Sequence, residues 1–222
     1  MLGDYKNFIT TFINKGYKCI FFNKLEEDKN NQLIIRHDID LDCKLALELA
    51  IIEYKLNIQS TYFFLLTNNS YNLLSKENID IVKNIQNMGH KVSLHYDPTL
   101  SNLLGLETEL NIFKQIFGPV DIISLHRPQL KNQLENIKYP TTYDNKYFEN
   151  TAYFADSRGS FRYGHPFNSD DFKQNKNIQL LLHPFWWVVN SKNKDECINK
   201  VLEGKNKDLN QHFQNSLKFY NG

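Results

Sequence analysis

The sequence predicts an α/β fold, specifically a distorted or incomplete (β/α) barrel. Short apolar runs rich in β-branched residues alternate with amphipathic helical stretches, a pattern typical of right-handed βαβ units and a parallel sheet. Several of these runs end directly in acids or histidines, as the strands of α/β active sites do. No glycine-rich phosphate loop follows the first core strand, which favours a barrel over an open doubly wound sheet.

The helices are predicted from apolar residues at helical spacing and from capping residues at their ends. Phe8, Ile9 and Phe12 share one face of the first helix, and Gly16 is a candidate for its C-cap. Asp42 is a candidate N-cap for the second. The predicted helices cover residues 5–15, 42–56, 75–88, 103–117 and 194–219.

The strands are predicted from β-branched and aromatic runs bounded by polar residues. The five clear strands cover residues 33–36, 61–66, 91–94, 122–125 and 178–182. We expect the region 130–177 to be irregular, with two short strands at 152–154 and 161–163.

Composition limits the class of protein. The chain has 222 residues, 41% of them hydrophobic, and a formal net charge of +1, so we expect one domain over 1–222 and no nucleic-acid partner. No stretch reaches the ~18 apolar residues of a membrane span. Cys19, Cys43 and Cys197 lack metal-type spacing, and no signal-like segment begins the chain, so we expect a cytoplasmic location. The oligomeric state stays open.

Asp38 and Asp40 are the leading candidates for chemistry. They end the first core strand two residues apart, so their side chains lie on one side of an extended backbone. Two carboxylates this close are ionised together only when a cation compensates them, which suggests a divalent metal at one and a base at the other. The alternative is a pair of N-cap acids, a role for which Asp42 is better placed.

Histidines follow the other strands. His95, His126 and His183 each end a predicted strand, where neutral imidazoles can bind zinc or act as acids. His90 precedes its strand, so we expect it at the opposite end of the barrel in a structural role. Arg127 is a candidate partner for Asp38, the alternative being a surface arginine in a loop.

These motifs resemble those of the polysaccharide deacetylase (NodB-homology) family, most closely its WbmS-like branch, over nearly the whole chain. The resemblance implies a distorted (β/α) barrel that removes acetyl groups from sugars with a divalent metal. His37-Asp38-Ile39-Asp40 resembles the first motif, which would make Asp38 the base and Asp40 a metal ligand. The metal would be zinc, with Fe, Co, Mn and Ni as alternatives.

Later motifs follow in the family's order. Arg127-Pro128 is similar to the motif that braces the base, and Leu181-Leu182-His183 to the motif that carries the general acid. The stretch from Phe154 to Gly159 resembles a motif whose acid, here Asp156, tunes the catalytic histidine.

One motif departs from the family pattern. Gly89-His90 and His95 align with the second motif, but Thr99 stands where the family has a second histidine ligand. We prefer His126 as the substitute, because it leaves an adjacent strand, with Asp97 as the alternative.

The sequence therefore suggests a metal-dependent N-deacetylase that acts on an amino-sugar amide. We expect its substrate to be a nucleotide-linked or lipid-linked precursor of bacterial surface glycan or O-antigen. Tyr163 and Trp186 are candidates for stacking on the sugar. The alternatives are a deformylase or other amide hydrolase, and a non-catalytic carbohydrate-binding protein that has lost the metal.

Overall fold

The computed structural model describes residues 2–100, 105–127 and 138–217. Its strands pair only in parallel and form one sheet in the order β5-β4-β3-β2-β7-β6, with β1 beside the first half of β2. The strands are β1 (Lys18–Ile20), β2 (Gln32–Ile39), β3 (Thr61–Leu65), β4 (Lys91–Tyr96), β5 (Ser124–Leu125), β6 (Ala152–Ala155) and β7 (Ile178–Leu182).

Helices connect most of these strands. They are α1 (Tyr5–Asn14), α2 (Cys43–Lys55), α3 (Lys76–Asn87), α4 (Gly105–Phe117), α5 (Asn145–Glu149), α6 (Asp170–Lys173), α7 (Phe185–Val188) and α8 (Lys194–Ser216). Asp42 caps α2 as predicted, its carboxylate accepting from the backbone N–H of Lys44. No helix in the described part of the chain is long and apolar enough to cross a bilayer.

The sheet curves into a half-barrel. In a flat sheet β2 and β5 would lie about 14 Å apart, because β3 and β4 separate them. Yet the hydroxyl of Ser124 on β5 donates to Oδ2 of Asp38 on β2 at 3.2 Å. Only a strongly curved sheet brings these short side chains together, which confirms the predicted incomplete (β/α) barrel.

Alternation along β2 separates the interior of the barrel from its outer layer. Ile34 packs inside with Phe63 and Ile122. Leu33 and Ile35 face outward into the core formed with α1 and α7. The side chains of Arg36 and Asp38 share the inward face with Ile34. The polar side chains on this face at the end of β2 therefore point toward the mouth of the barrel.

A buried polar cluster lies outside the barrel, beneath α2. Both oxygens of the Glu53 carboxylate accept hydrogen bonds: Oε1 is 2.8 Å from Nε2 of His37, and Oε2 accepts from the hydroxyls of Ser60 and Tyr62. His90 lies within 3.6 Å of Glu53, at the end of β4 away from the mouth. The structural role predicted for His90 is confirmed by this position.

Several predicted elements differ from the observed ones. Residues 161–163 form a turn rather than a strand, because Phe161 stacks on Phe8 of α1 and the chain reverses at Gly164, whose φ is 102°. The short elements β1, α5, α6 and α7 were not predicted, because none of them is long enough to show a periodic pattern. The predicted helix residues 103–104 and 218–219 lie outside the described residues.

Candidate metal and acid–base site

The candidate residues meet at the carboxyl end of the sheet. Asp38 and His95 lie near the ends of β2 and β4, whereas Asp40, His126 and His183 follow closely after β2, β5 and β7. Because the strands are parallel, their carboxyl ends share one edge, and the curvature closes that edge into a cavity. All five residues line this cavity.

Three side chains form a group that fits a divalent cation. Oδ1 of Asp40 lies 3.4 Å from Nε2 of His95 and 3.5 Å from Nδ1 of His126, and the two nitrogens are 3.1 Å apart. An ion with tetrahedral bonds of 2.0–2.2 Å separates its ligand atoms by about 3.4 Å, so these distances suit one. Oδ1 of Asp40 is buried without a hydrogen-bond partner, as expected of an atom reserved for a cation.

The electrostatics of Asp40 also suit a cation site. Burial raises the pKa of this carboxyl, but the neighbouring His126 and His95 outweigh that effect and hold the pKa well below its usual range. Two imidazoles and one carboxylate are a donor set typical of zinc and of Fe(II). The residues present therefore fit the metal that the sequence predicts.

Thr99 and Asp97 lie beside this group rather than within it. Oδ1 of Asp97 accepts from both the backbone N–H and the hydroxyl of Thr99, at 2.8 and 2.6 Å. Its buried Oδ2 has no hydrogen bond and lies 3.8 Å from Nε2 of His126, on the side of the ring away from Asp40. Asp97 is thus placed to orient the imidazole of His126, as carboxylates commonly do for metal-binding histidines.

Asp38 is paired with a buried arginine from its own strand. The guanidinium of Arg36 donates to both carboxylate oxygens, from Nε at 2.9 Å and from Nη2 at 2.8 Å. Burial raises the pKa of Asp38, but the charge of Arg36 more than offsets it, and the pKa lies below its ordinary value. Arg36 also donates to the hydroxyls of Ser124, Thr142 and Tyr143, which fix it across the barrel.

The prediction that Arg127 braces Asp38 is therefore wrong. Arg127 is exposed at the mouth, and within the described ranges no hydrogen bond or ion pair joins it to Asp38. The bracing position is already filled by Arg36, whose inward direction follows from the alternation of β2 and could have been inferred from it. Pro128, the other half of the predicted motif, lies outside the described residues.

His183 is held by a buried carboxylate. Its Nδ1 is 2.6 Å from Oδ1 of Asp156, which follows β6, and Nε1 of Trp187 donates to the other oxygen at 2.7 Å. Burial lowers the pKa of His183, but Asp156 outweighs it and raises the pKa to about 9. The imidazole is therefore protonated at neutral pH, with Nε2 directed toward Asp40, 3.5 Å from its Oδ2. This is the contact that the sequence predicts for Asp156.

The cavity has a volume of about 930 Å³, near the upper end of ligand pockets. Tyr163 lines its mouth and is 86% exposed, a position from which a ring can contact a ligand. Trp186 does not line the cavity: it is 93% buried in the outer core, against Phe185 and Gly159. The stacking role predicted for Trp186 is therefore wrong, because its ring is buried among the apolar side chains of the outer core.

The cavity also contains residues that the sequence analysis missed. Tyr143, Phe148 and Tyr153 form an aromatic wall, and Arg158 and Arg162 lie at the rim. All of them come from the region predicted to be irregular. Its high content of aromatic and arginine residues was the available signal.

Comparisons with known proteins find structural likeness only. No protein-family model and no curated protein matches the chain. A family 4 carbohydrate esterase from Bacillus anthracis aligns with 90% of this chain and 86% of its own, at 14% identity and a TM-score of 0.44. The chitin deacetylase of the fungal pathogen Colletotrichum lindemuthianum aligns with 85% of this chain and 86% of its own, at 16% identity and a TM-score of 0.48.

A third similar structure is BA3943 of Bacillus anthracis, a family 4 pseudoenzyme. It aligns with 82% of this chain and 63% of its own, at 12% identity and a TM-score of 0.43. The solved structures that this chain resembles thus include a carbohydrate esterase, a chitin deacetylase and a pseudoenzyme. At such identities and scores they carry no argument about activity, and the chemistry must be argued from the residues of this chain.

Proposed function

We propose that the protein is a metal-dependent hydrolase that removes the acyl group from the amide of an amino sugar. One observation carries the proposal. A three-atom group suited to a divalent cation lies beside both a braced carboxylate, Asp38, and a protonated imidazole, His183. Hydrolysis of an amide needs a base for water, an acid for the leaving amine and a Lewis acid for the carbonyl.

Asp40, His95 and His126 would hold the metal. A divalent ion bound there supplies Lewis-acid chemistry toward an acyl carbonyl. Zinc is the first candidate, and Fe, Co, Mn and Ni are compatible with the same donors. Asp97 keeps His126 oriented through the far nitrogen of the ring.

Asp38 is the proposed base. Oδ2 of Asp38 lies 3.6 Å from Nε2 of His95, so its carboxylate borders the cation group without belonging to it. Arg36 keeps this carboxylate ionised at neutral pH and fixes its plane through two parallel hydrogen bonds. In this position Asp38 accepts a proton from a water that attacks the acyl carbon.

His183 is the proposed acid. Asp156 holds Nδ1 and keeps the ring charged, so the proton on Nε2 is available to the cavity. An amine leaves an amide readily only after its nitrogen is protonated, and Nε2 is placed to protonate it. The base and acid roles are therefore divided between Asp38 and His183, each of which lies within 3.6 Å of one residue of the cation group.

The finer features of the substrate are part of the same proposal. We propose an N-acetyl amino sugar that is a precursor of bacterial surface glycan or O-antigen, processed in the cytoplasm by a member of the WbmS-like branch. The exposed ring of Tyr163 would contact the sugar. These assignments come from the sequence resemblance, and the cavity is large enough for such a substrate.

Metal content and hydrolysis together test the proposal. Protein purified without chelator or nickel resin is expected to hold about one divalent metal per chain, and His95→Ala to lose it. His212→Ala, a surface histidine on α8, is the matched control and should keep the metal. Asp38→Asn should keep the metal but lose hydrolysis of N-acetylglucosamine derivatives.

The outcomes separate the alternatives. Release of formate but not acetate from paired formyl and acetyl substrates would indicate a deformylase. Absence of metal in every sample after reconstitution would refute the proposal and favour a carbohydrate-binding protein. Full activity of Asp38→Asn would refute the mechanism.

A further inference from the structure

All the arginines of this chain lie at the cavity or directly beneath it. The sequence has only four arginines among its 26 lysine and arginine residues. Arg36 lies beneath Asp38, and Arg127, Arg158 and Arg162 all line the cavity. No lysine in the described part of the chain lines it, although lysine is the common cation of this protein. This separation points to a need for guanidinium groups at the mouth rather than for positive charge alone.

The three outer arginines come from opposite edges of the sheet. Arg127 follows β5, whereas Arg158 and Arg162 follow β6. β5 and β6 are the two end strands of the sheet, so only its curvature brings these guanidinium groups to one mouth. All three residues are exposed.

The backbone at Arg127 is unusual. Among the described residues other than glycine, four have positive φ, and the other three are asparagines. Asparagine tolerates the left-handed region, whereas arginine does so at a cost. Arg127 therefore lies at the mouth although its backbone has a positive φ, which arginine disfavours.

Among the described residues, these guanidinium groups have no acidic partner. No ion pair joins Arg127, Arg158 or Arg162 to an Asp or Glu of the described ranges. The acids that line the cavity, Asp38 and Asp40, lie deeper and are engaged by Arg36 and by histidines. Three guanidinium groups without an ion-pair partner around one cavity are suited to a ligand that carries several negatively charged oxygen atoms.

We propose that Arg127, Arg158 and Arg162, together the rim of the cavity, bind the phosphate groups of an amino sugar carried on a phosphate or diphosphate. The proposal rests on the proposed function, because it names the substrate class of that site. A single carboxylate, as in a uronic acid, is matched by one guanidinium fork, whereas a phosphate or diphosphate can engage three. The cavity volume of about 930 Å³ leaves room for a phosphate-bearing group beside the sugar.

Binding measurements test the rim independently of hydrolysis. The probes are N-acetylglucosamine, its 1-phosphate, UDP-N-acetylglucosamine, a short-chain prenyl diphosphate of the same sugar, and N-acetylglucosaminuronic acid. Each is titrated calorimetrically into Asp38→Asn protein, which cannot consume it by the proposed mechanism. We expect the phosphate-bearing probes to bind at least about tenfold more tightly than the neutral sugar.

The variants separate guanidinium recognition from general charge. Arg158→Gln/Arg162→Gln and Arg127→Gln should each lose about tenfold or more of the affinity for phosphate-bearing probes, with little change for the neutral sugar. Lys55→Gln/Lys83→Gln removes the same charge as the double rim variant from two exposed sites on α2 and α3, and should bind like the parent protein.

Each outcome decides the proposal. Tightest binding of the nucleotide probe or of the prenyl probe supports it and identifies which carrier supplies the phosphate. Equal affinity for neutral and phosphorylated sugars, a preference for the uronic acid, no saturable binding of any probe, or an equal loss in the lysine control overturns it. Rim-dependent binding by a protein that never hydrolyses the probes would instead refute the proposed function and leave this inference standing.

Discussion

Replacing Arg36 with methionine removes the cation that pairs with the buried carboxylate of Asp38. The side chains of the two residues are 0% and 4% exposed, so solvent cannot replace the lost partner. Removing one member of a buried ion pair costs about 3–5 kcal/mol, because the remaining charge is left without compensation. Methionine keeps the apolar stem but none of the donors that also bind Ser124, Thr142 and Tyr143.

The expected loss is large relative to the stability of a domain. The free energy of unfolding of such a protein is about 5–15 kcal/mol. The Arg36→Met variant should therefore remain folded but lose a substantial fraction of that stability. For a chain of this length, about 3–5 kcal/mol corresponds to a fall in Tm of about 6–20 °C. Urea unfolding followed by circular dichroism measures the change. Arg127→Met is the matched control, and as an exposed substitution it should change stability by less than about 0.5 kcal/mol.

A double-mutant cycle isolates the ion pair from other effects. Arg36→Met/Asp38→Asn leaves no unpaired buried charge, so it should be more stable than Arg36→Met alone. A loss below about 1 kcal/mol in Arg36→Met, or an equal loss in Arg127→Met, would refute the assignment of Arg36 as the partner of Asp38. A double variant no more stable than the single one would show that the unpaired charge is not the cause.

Three further predictions follow from other contacts. Asp97→Asn should weaken divalent-metal binding about 10–100-fold in a chelator competition, because a neutral amide then faces Nε2 of His126; unchanged affinity would contradict this role. Burial raises the pKa of Glu53, but the neighbouring histidines lower it to about 2. Because the folded pKa lies below the unfolded value, the carboxylate contributes about 3 kcal/mol above pH ~4.5, lost as the pH falls toward 2. Urea unfolding of Glu53→Gln should therefore show a flatter dependence on pH over that range, and an unchanged slope would count against the cluster. Asp156→Asn should reduce hydrolysis about 10²–10⁴-fold, because His183 loses the anion that keeps it protonated, with the metal content unchanged; wild-type rates would disprove the acid assignment.

Local sequence patterns were sufficient to locate most of the candidate site. Side chains alternate between the two faces of a strand, so Asp38 and Asp40, at and just after the end of β2, lie on the same side of the backbone. Parallel strands then bring His95, His126 and His183 to the same edge. These inferences need only the period of a strand and the direction of the chain, both of which are encoded locally.

Contacts between side chains from different strands could be identified only from the tertiary structure. Alternation along β2 places Arg36 on the same face as Asp38, but only the curvature of the sheet brings Ser124, from a strand three positions away, into contact with both. The same curvature brings His126 into the cation group.

The sequence by itself therefore determined the α/β barrel class, the alternation of its strands and the set of polar residues at their ends. The tertiary structure decided which of those residues face each other across the mouth and where the outer arginines gather. The physical reason is range: periodicity and capping act over a few residues, whereas distances across the mouth depend on register and curvature summed over the whole sheet.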